Sequence, residues 1–333
     1  MTRVSVIVPC LNEEATIAKL LEALYAQSYP RAELEVVIAD GLSTDSTRER
    51  IAAFAASHPD LPVSIVDNPS RRIPTGLNLA MKAAKGGMLL RLDAHCVPQP
   101  DYIARSVEAL EEGLGANVGG VWEIQPGGST WMARAIAQAA AHPFGVGDAR
   151  YRLDASRAQA VDTVPFGAFK RSLIDEIGPF DESLGSNEDY EFNHRIRLAG
   201  GRVWLDPAIR STYFARPTLG ALMRQYARYG YWKWRMLRRY PRSLRWRQLL
   251  PPVFVLSLML LPILAIWWPW LGKLWGVEVV SYALLLLGAG AQKGIQMKEA
   301  RMIVGLPLAI GAMHLSWGLA FLFSTVRHGP REA

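Results

Sequence analysis

Two cysteines in 333 residues, Cys10 and Cys96, are too few and too far apart for a disulfide framework, and they match no metal-ligand spacing. That scarcity fits a reducing compartment. No secretory leader is visible: strand-like residues begin at Val4, so the soluble part is expected to stay in the cytoplasm. Acid is missing from one stretch altogether. Between Arg224 and Arg247 there are nine Arg and Lys and no Asp or Glu. From Leu249 to Leu271 and from Met302 to Val326 there is no charge of either sign, and these runs of 23 and 25 residues are long enough to cross a bilayer. The buried core of a soluble helical domain is the plain alternative for such runs.

The net charge of +7 gathers in the acid-free block. Tyr226, Tyr229, Tyr231, Trp232, Trp234, Tyr240 and Trp246 are interleaved with its cations, a mixture suited to the headgroup layer. Directly ahead of an apolar run, anionic membrane lipid is the expected partner and nucleic acid is not. A solvated basic helix is the bland alternative. The expected organisation is a cytoplasmic catalytic domain over residues 1–223, an interfacial segment over 224–248, a membrane domain of about three helices over 249–326 and a tail over 327–333. Val279 to Ala291 is marginal as a span. Lys293, Lys298 and Arg301 follow it, and the positive-inside rule places them in the cytoplasm, so this middle segment is expected to cross. The tail, with Arg327 and Arg331, would then lie outside a plasma-type inner membrane.

The first hundred residues alternate strand and helix. Val4 to Val8, Leu34 to Ala39, Val63 to Val66 and Met88 to Leu92 read as short buried strands. Between them lie a helix with Ile17, Leu20, Leu21 and Leu24 on one face, a helix for which Ser43 and Asp45 are candidate caps, and a helix opened by Pro74 and closed by Gly86 and Gly87. Four such alternations predict an α/β fold with a mostly parallel sheet covered on both faces. Ligands in such sheets bind at the carboxyl ends of strands, where Pro9, Asp40 and Asp93 stand. Beyond residue 115 the pattern loosens: Asn117 to Ile124 is strand-like, Phe192 to Leu198 looks helical, and Val203 to Leu205 predicts a short strand.

Three constellations carry chemistry. Asp93-Ala94-His95 follows the fourth strand. A carboxylate there suits a divalent cation held against a diphosphate, and His95, two residues on in an extended segment, is a candidate second ligand that favours Mn²⁺ over Mg²⁺. Alone, His95 reads more often as a loop histidine than as a ligand. Asn187-Glu188-Asp189-Tyr190-Glu191 gathers carboxylates ahead of a helix, either as N-capping or as a general base for a sugar hydroxyl. Gln225-Tyr226-Ala227-Arg228-Tyr229 offers an Arg and aromatics to a diphosphate and a sugar ring, or else belongs to the lipid-facing block.

Together these motifs resemble the GT-A-fold glycosyltransferase family 2, over about residues 2 to 235. Pro9-Cys10-Leu11-Asn12-Glu13 resembles the opening motif, which implies that Pro9 and Glu13 help hold the nucleotide base. Asp40-Gly41-Leu42-Ser43-Thr44-Asp45 is similar to the second-strand motif, implying Asp40 on the uracil. Asp93-Ala94-His95 stands where the family has Asp-X-Asp, Glu188-Asp189 matches the motif whose Asp is the catalytic base, and Phe166-Gly167-Ala168-Phe169 resembles the segment lining the donor and acceptor pocket. Gln225 to Tyr229 resembles the Gln-X-X-Arg-Trp of processive synthases. Within the family, the Asp-Ala-His variant, the Gly-Ala-Phe segment and the tail are most similar to the succinoglycan-biosynthesis branch. The departures are Ala39 before Asp40, His95 for the second Asp, and Tyr229 for the processive Trp; with a short membrane tail, they favour addition of one sugar over polymer extrusion.

What the resemblance implies is an inverting, membrane-anchored transferase using a UDP-sugar, with UDP-glucose as the expected donor. Glu13 and Asp40 would fix the uridine, Asp93 and His95 with Mg²⁺ or Mn²⁺ the diphosphate, and Arg228 would steady it. Asp189, with Glu188 beside it, would act as base. Phe166, Gly167, Ala168, Gln225 and Tyr229 would meet the acceptor, expected to be a polyprenyl-diphosphate-linked saccharide. The competing readings are a processive polysaccharide synthase, a polyprenyl-phosphate sugar synthase and, least favoured, a non-catalytic membrane scaffold.

Overall fold

The computed structural model describes residues 3–153 and 155–327. The described chain holds β1 (Val4–Cys10), α1 (Ile17–Tyr25), β2 (Leu34–Asp40), α2 (Thr47–Ser57), β3 (Val63–Asp67), α3 (Ile73–Ala83), β4 (Met88–Arg91), β5 (Cys96–Pro98), α4 (Tyr102–Glu111) and β6 (Asn117–Gln125). It continues through α5 (Trp131–Ala140), α6 (Pro143–Val146), β7 (Gln159–Ala160), β8 (Ala168–Lys170), α7 (Ser172–Ile177), α8 (Glu188–Leu198), β9 (Val203–Phe214), α9 (Leu219–Arg239), α10 (Trp246–Leu264), α11 (Pro269–Met297) and α12 (Met302–Val326). Two compact units emerge: Met1–Glu123 with Leu153–Tyr213, and Ile124–Arg152 with Phe214–Ala333.

The first unit is built on a mixed sheet in the order β3-β2-β1-β4-β8-β6-β9-β5, with β7 beside β9. The expected parallel part is β3-β2-β1-β4, in register through Val4–Leu34, Val36–Val63 and Val4–Met88. Its inner strands are buried on both faces, which is why β1 is a run of Val and Ile rather than an alternation. Beyond β4 the pairing turns antiparallel, with β8 against β4 and β6 against β8. Ile17, Leu20, Leu21 and Leu24 of α1 are fully buried in the same core. Each such side chain contributes about 1.5–3 kcal/mol by burial, so this helix face fixes where the strand ends lie. β9 is far longer than the short strand expected from Val203 to Leu205, because its far end pairs with β5.

In the second unit α12 is the central helix. Leu306, Ala309, Ile310 and Met313 have no exposed surface. Tyr226 and Tyr229 of α9 pack against Trp317, and Trp234 against Phe321. Gly230 lies so close to the Trp317 carbonyl that a Cβ would sit 2.2 Å from it. Three helices, α10, α11 and α12, are long and apolar enough to cross a membrane. Their boundaries differ from the apolar runs. The first run is broken after Leu264, because Trp268 precedes Pro269 and leaves the helical region at φ −128° and ψ 89°. The marginal middle segment belongs to a continuous helix of 29 residues, about 44 Å long at 1.5 Å per residue. Arg134 of α5 forks onto Glu299 in the turn before α12, at 2.6 and 3.1 Å. Of the expected tail, residues 328–333 lie outside the described residues.

Candidate active site

At the carboxyl ends of β1 and β2, two loops are stitched together. The Asn12 amide donates to Ser43 Oγ at 2.8 Å, Thr44 N to Asn12 Oδ1 at 2.9 Å, and Glu13 N to Thr47 Oγ1 at 2.8 Å. Asn12 and Leu42 both take left-handed φ, 54° and 59°. Asn tolerates that conformation and a branched Leu does not favour it, so the stitching holds a strained loop. Ser43, expected as a helix cap, instead donates from Oγ to Asp40 Oδ1 at 2.5 Å, while Asp45 Oδ1 accepts from Thr47 N at 3.1 Å.

Asp40 is fully buried. Its Oδ2 accepts from the Ser43 amide at 3.0 Å and from Arg48 Nε at 2.6 Å, and Arg48 also reaches Asp67 at 2.5 Å. Burial opposes its charge, but the Ser43 and Arg48 contacts hold its carboxyl below the usual range. The expectation that Asp40 touches the base therefore meets a carboxylate with both oxygens engaged and no exposed surface. Asp40 thereby links Ser43 to the more open Arg48. Pro9 is half-buried on β1, paired in register with Ala39.

The segment after β4 turns rather than running on extended: Cys96 N donates to the Asp93 carbonyl at 3.1 Å. The turn carries the His95 ring to Glu13, with Nδ1 and Oε1 3.0 Å apart. Glu13 Oε2 accepts from the Thr16 hydroxyl at 2.5 Å. Burial opposes ionisation of Glu13, but His95 and Thr16 hold its carboxyl below the usual range. The first and third motifs of the sequence thus share one hydrogen bond.

Arg91 is the residue the sequence reading missed. It ends β4 and is only 3% exposed. Its Nη1 contacts Asp189, and its Nη2 lies 3.1 Å from Asp93 Oδ1 and 2.9 Å from Glu188 Oε1. Burial opposes the charge, but Asp93 and Glu188 hold the guanidinium above its ordinary value. The signal was available: one cation inside an otherwise apolar strand, Met88-Leu89-Leu90-Arg91-Leu92, must find buried partners.

Glu188 and Asp189 lie inside the first turn of α8 rather than ahead of it, where the helix N-terminus favours negative charge. Their side chains differ in access, 9% for Glu188 and 22% for Asp189. Asn193 bolts α8 down, receiving the Asn117 amide at 2.7 Å and donating to the Val164 carbonyl at 2.9 Å. Glu191, fully buried, takes Arg195 through both oxygens, and Arg195 also donates to the Gly178 and Pro179 carbonyls at 3.0 and 2.8 Å. Phe166, Gly167 and Ala168, expected to meet the acceptor, are all buried. Their place is beneath the cluster: the Gly167 carbonyl accepts from the Arg91 amide at 3.0 Å, and the Phe166 carbonyl from Tyr102 at 2.7 Å. Gln225, Arg228 and Tyr229 lie on α9 of the second unit, with Gln225 Nε2 donating to Tyr229 Oη at 3.0 Å and Arg228 6.0 Å from the Tyr229 ring centroid.

Among the described residues no group of three or more His, Cys, Asp or Glu is arranged to hold a metal ion by itself. The donors at the end of β4 fit a different mode. Three carboxylates around one guanidinium leave two formal negative charges uncompensated. A hard divalent ion that keeps its waters and completes its shell with diphosphate oxygens suits such a set.

The chain matches the family described as glycosyl transferase family 2 over residues 5–178. It is 31% identical over 321 residues to the succinoglycan biosynthesis protein ExoA of Rhizobium meliloti, covering 95% of this chain and 93% of that one. It is 28% identical, over 96% of each chain, to a Methanococcus voltae protein named as a dolichyl N-acetyl-α-D-glucosaminyl phosphate 3-β-D-2,3-diacetamido-2,3-dideoxy-β-D-glucuronosyltransferase. Among solved structures, a Pyrobaculum calidifontis mannosyltransferase in complex with GDP-Man and Mn²⁺ shares the fold, with a TM-score of 0.58 and 24% identity over 93% of this chain and 86% of that one. Strand order, the strand-end cluster and these likenesses agree: the chain is a GT-A-fold enzyme and belongs to glycosyl transferase family 2.

Proposed function

We propose that the enzyme is an inverting transferase that moves a single sugar, with glucose expected, from a UDP-sugar to a saccharide carried on a polyprenyl diphosphate. The observation that carries the reading is the meeting of Asp93 with Glu188 and Asp189 at the end of a parallel strand. Carboxylates suited to the donor side and to a base lie together there, and this supports the reading. Of the two carboxylates on α8, Asp189 is the more accessible and takes the role of base, and the buried Glu188 serves as counter-charge.

Asp189 takes the proton from an acceptor hydroxyl as its oxygen bonds to the anomeric carbon. The bond from that carbon to the diphosphate oxygen breaks on the opposite face, its electron pair leaves with UDP, and configuration inverts. Asp93 holds the donor's diphosphate side, with His95, whose Nδ1 lies 3.0 Å from Glu13 Oε1, beside it. A Mg²⁺ or Mn²⁺ ion held there would neutralise charge on the leaving diphosphate. Glu13, Pro9 and the loop organised by Asp40 hold the nucleoside, and Arg48 joins them.

The lipid-linked acceptor is supported by the apolar helices and by the relative named for transfer to a dolichyl-phosphate-linked sugar. In this reading α10, α11 and α12 cross the membrane, the basic face of α9 meets anionic lipid, and the turn bearing Lys298 and Arg301 lies in the cytoplasm with the catalytic unit. The test is purified protein with radiolabelled UDP- and GDP-sugars, Mn²⁺ or Mg²⁺ and polyprenyl-linked lipid extract. Label from one UDP-sugar in a discrete organic-phase product supports the reading. Label confined to long water-soluble polymer refutes single addition, and no label with any donor refutes the transfer.

A further inference from the structure

Arg91 has the properties of a frame rather than of a ligand-binding group. A guanidinium taken almost wholly out of water persists only where its partners are fixed. Its partners come from two elements: Asp93 from the loop after β4, and Glu188 and Asp189 from the first turn of α8. The planar fork sets them in one geometry, Nη1 on Asp189 and Nη2 shared by Asp93 and Glu188, as a flexible ammonium would not. The backbone of Arg91 is pinned as well, to the Gly167 carbonyl. The asparagine pair Asn117–Asn193 fixes α8 from its other side.

We propose that Arg91 is the positioning residue of the transferase: its buried guanidinium holds Asp189, the base, in register with Asp93, the donor-side carboxylate. This rests on the assignment of Asp189 as base. Arg91, 3% exposed, acts through its carboxylate partners. Its loss misplaces the base without emptying the nucleotide site, and a misplacement of about 1 Å is enough to lower turnover about 100-fold.

The experiment compares wild type, Arg91→Lys, Asp189→Asn and the double variant by thermal melting, UDP titration and steady-state kinetics. Arg91→Lys keeps the charge and removes the fork. The expected result is a folded protein with UDP affinity and donor KM within about threefold of wild type and kcat lowered about 100-fold. In the Asp189→Asn background the same change should lower kcat no further, because both act through one group. Should Arg91→Lys fail to fold, the charge-balanced pair Arg91→Gln with Glu188→Gln replaces it, with the same split expected. A folded Arg91 variant with wild-type kcat overturns the proposal. So does one whose UDP affinity falls in step with kcat, or a double variant whose losses multiply. Full turnover in Asp189→Asn alone sinks the base assignment instead, and so separates the two failures.

Discussion

Arg91 and Asp189 stand 98 residues apart in sequence, and one guanidinium nitrogen of the first contacts a carboxylate oxygen of the second. The contact joins the parallel half of the sheet to α8. It turns two separate sequence motifs, Asp93-Ala94-His95 and Glu188-Asp189, into one cluster.

The donor side is tested by metal and by Asp93. Chelation with EDTA should abolish turnover, and added Mn²⁺ or Mg²⁺ should restore it. Asp93→Asn should weaken UDP binding in the presence of Mn²⁺ by about tenfold or more, equal to about 1.4 kcal/mol, and change metal-free binding far less. Isothermal titration with and without Mn²⁺ measures both. Equal affinities in wild type and variant would remove Asp93 from the diphosphate site.

Asp40 makes a prediction about stability and pH. Its carboxyl is held below the ordinary value of 3.8 by Ser43 and Arg48 against the opposing effect of burial. A depressed carboxylate stabilises the fold fully above its unfolded value, and the contribution is lost as pH falls through the folded one. Melting temperature followed from pH 7 to pH 3 should therefore drop below about pH 4 in wild type. Asp40→Asn should be less stable at neutral pH by about 1–3 kcal/mol, melt lower there, and show a shallower acid limb. An unchanged acid limb in Asp40→Asn would contradict the pairing.

The parallel strands and their intervening helices were legible in the sequence, because strand and helix periodicities are local and the apolar residues obey them. Position 40 shows where legibility stopped. The motif points to a base-binding aspartate; that Ser43 and Arg48 also engage this carboxylate was not legible, because its burial depends on how β2 sits in the sheet. Phe166, Gly167 and Ala168 were legible as a motif, but their burial depends on how β8 sits between β4 and β6. Arg91 was illegible as a partner of Asp189 because nothing local in sequence relates the end of β4 to the start of α8. The break at Trp268-Pro269 was written in the chain, yet the apolar character on both sides concealed it.

Gly167 supports Arg91 from below. A Cβ there would lie 2.1 Å from Asn117 Oδ1, inside any tolerable contact. Gly167→Ala should push Asn117 off Asn193 and cost about 1–3 kcal/mol, with turnover falling more than UDP affinity. Denaturant or thermal melts alongside UDP titration check both effects. A variant with wild-type stability would mean that the two asparagines yield without loss.

The membrane arrangement is open to cysteine labelling. Cys10 and Cys96 are both buried, and burial raises both thiols, so background modification should be low. A cysteine placed at Lys298 should react with an impermeant maleimide only after the inner membrane is opened, and one placed at Trp268 should react in intact spheroplasts. The opposite pattern would invert the topology.

Asp189 is the proposed base, and the most direct measurement is single-turnover transfer from a labelled UDP-sugar by Asp189→Asn with the metal present. The predicted result is a rate about 10²–10⁴-fold below wild type with UDP affinity within about threefold. Transfer at the wild-type rate would contradict it, and the proton would have to leave the acceptor by another group.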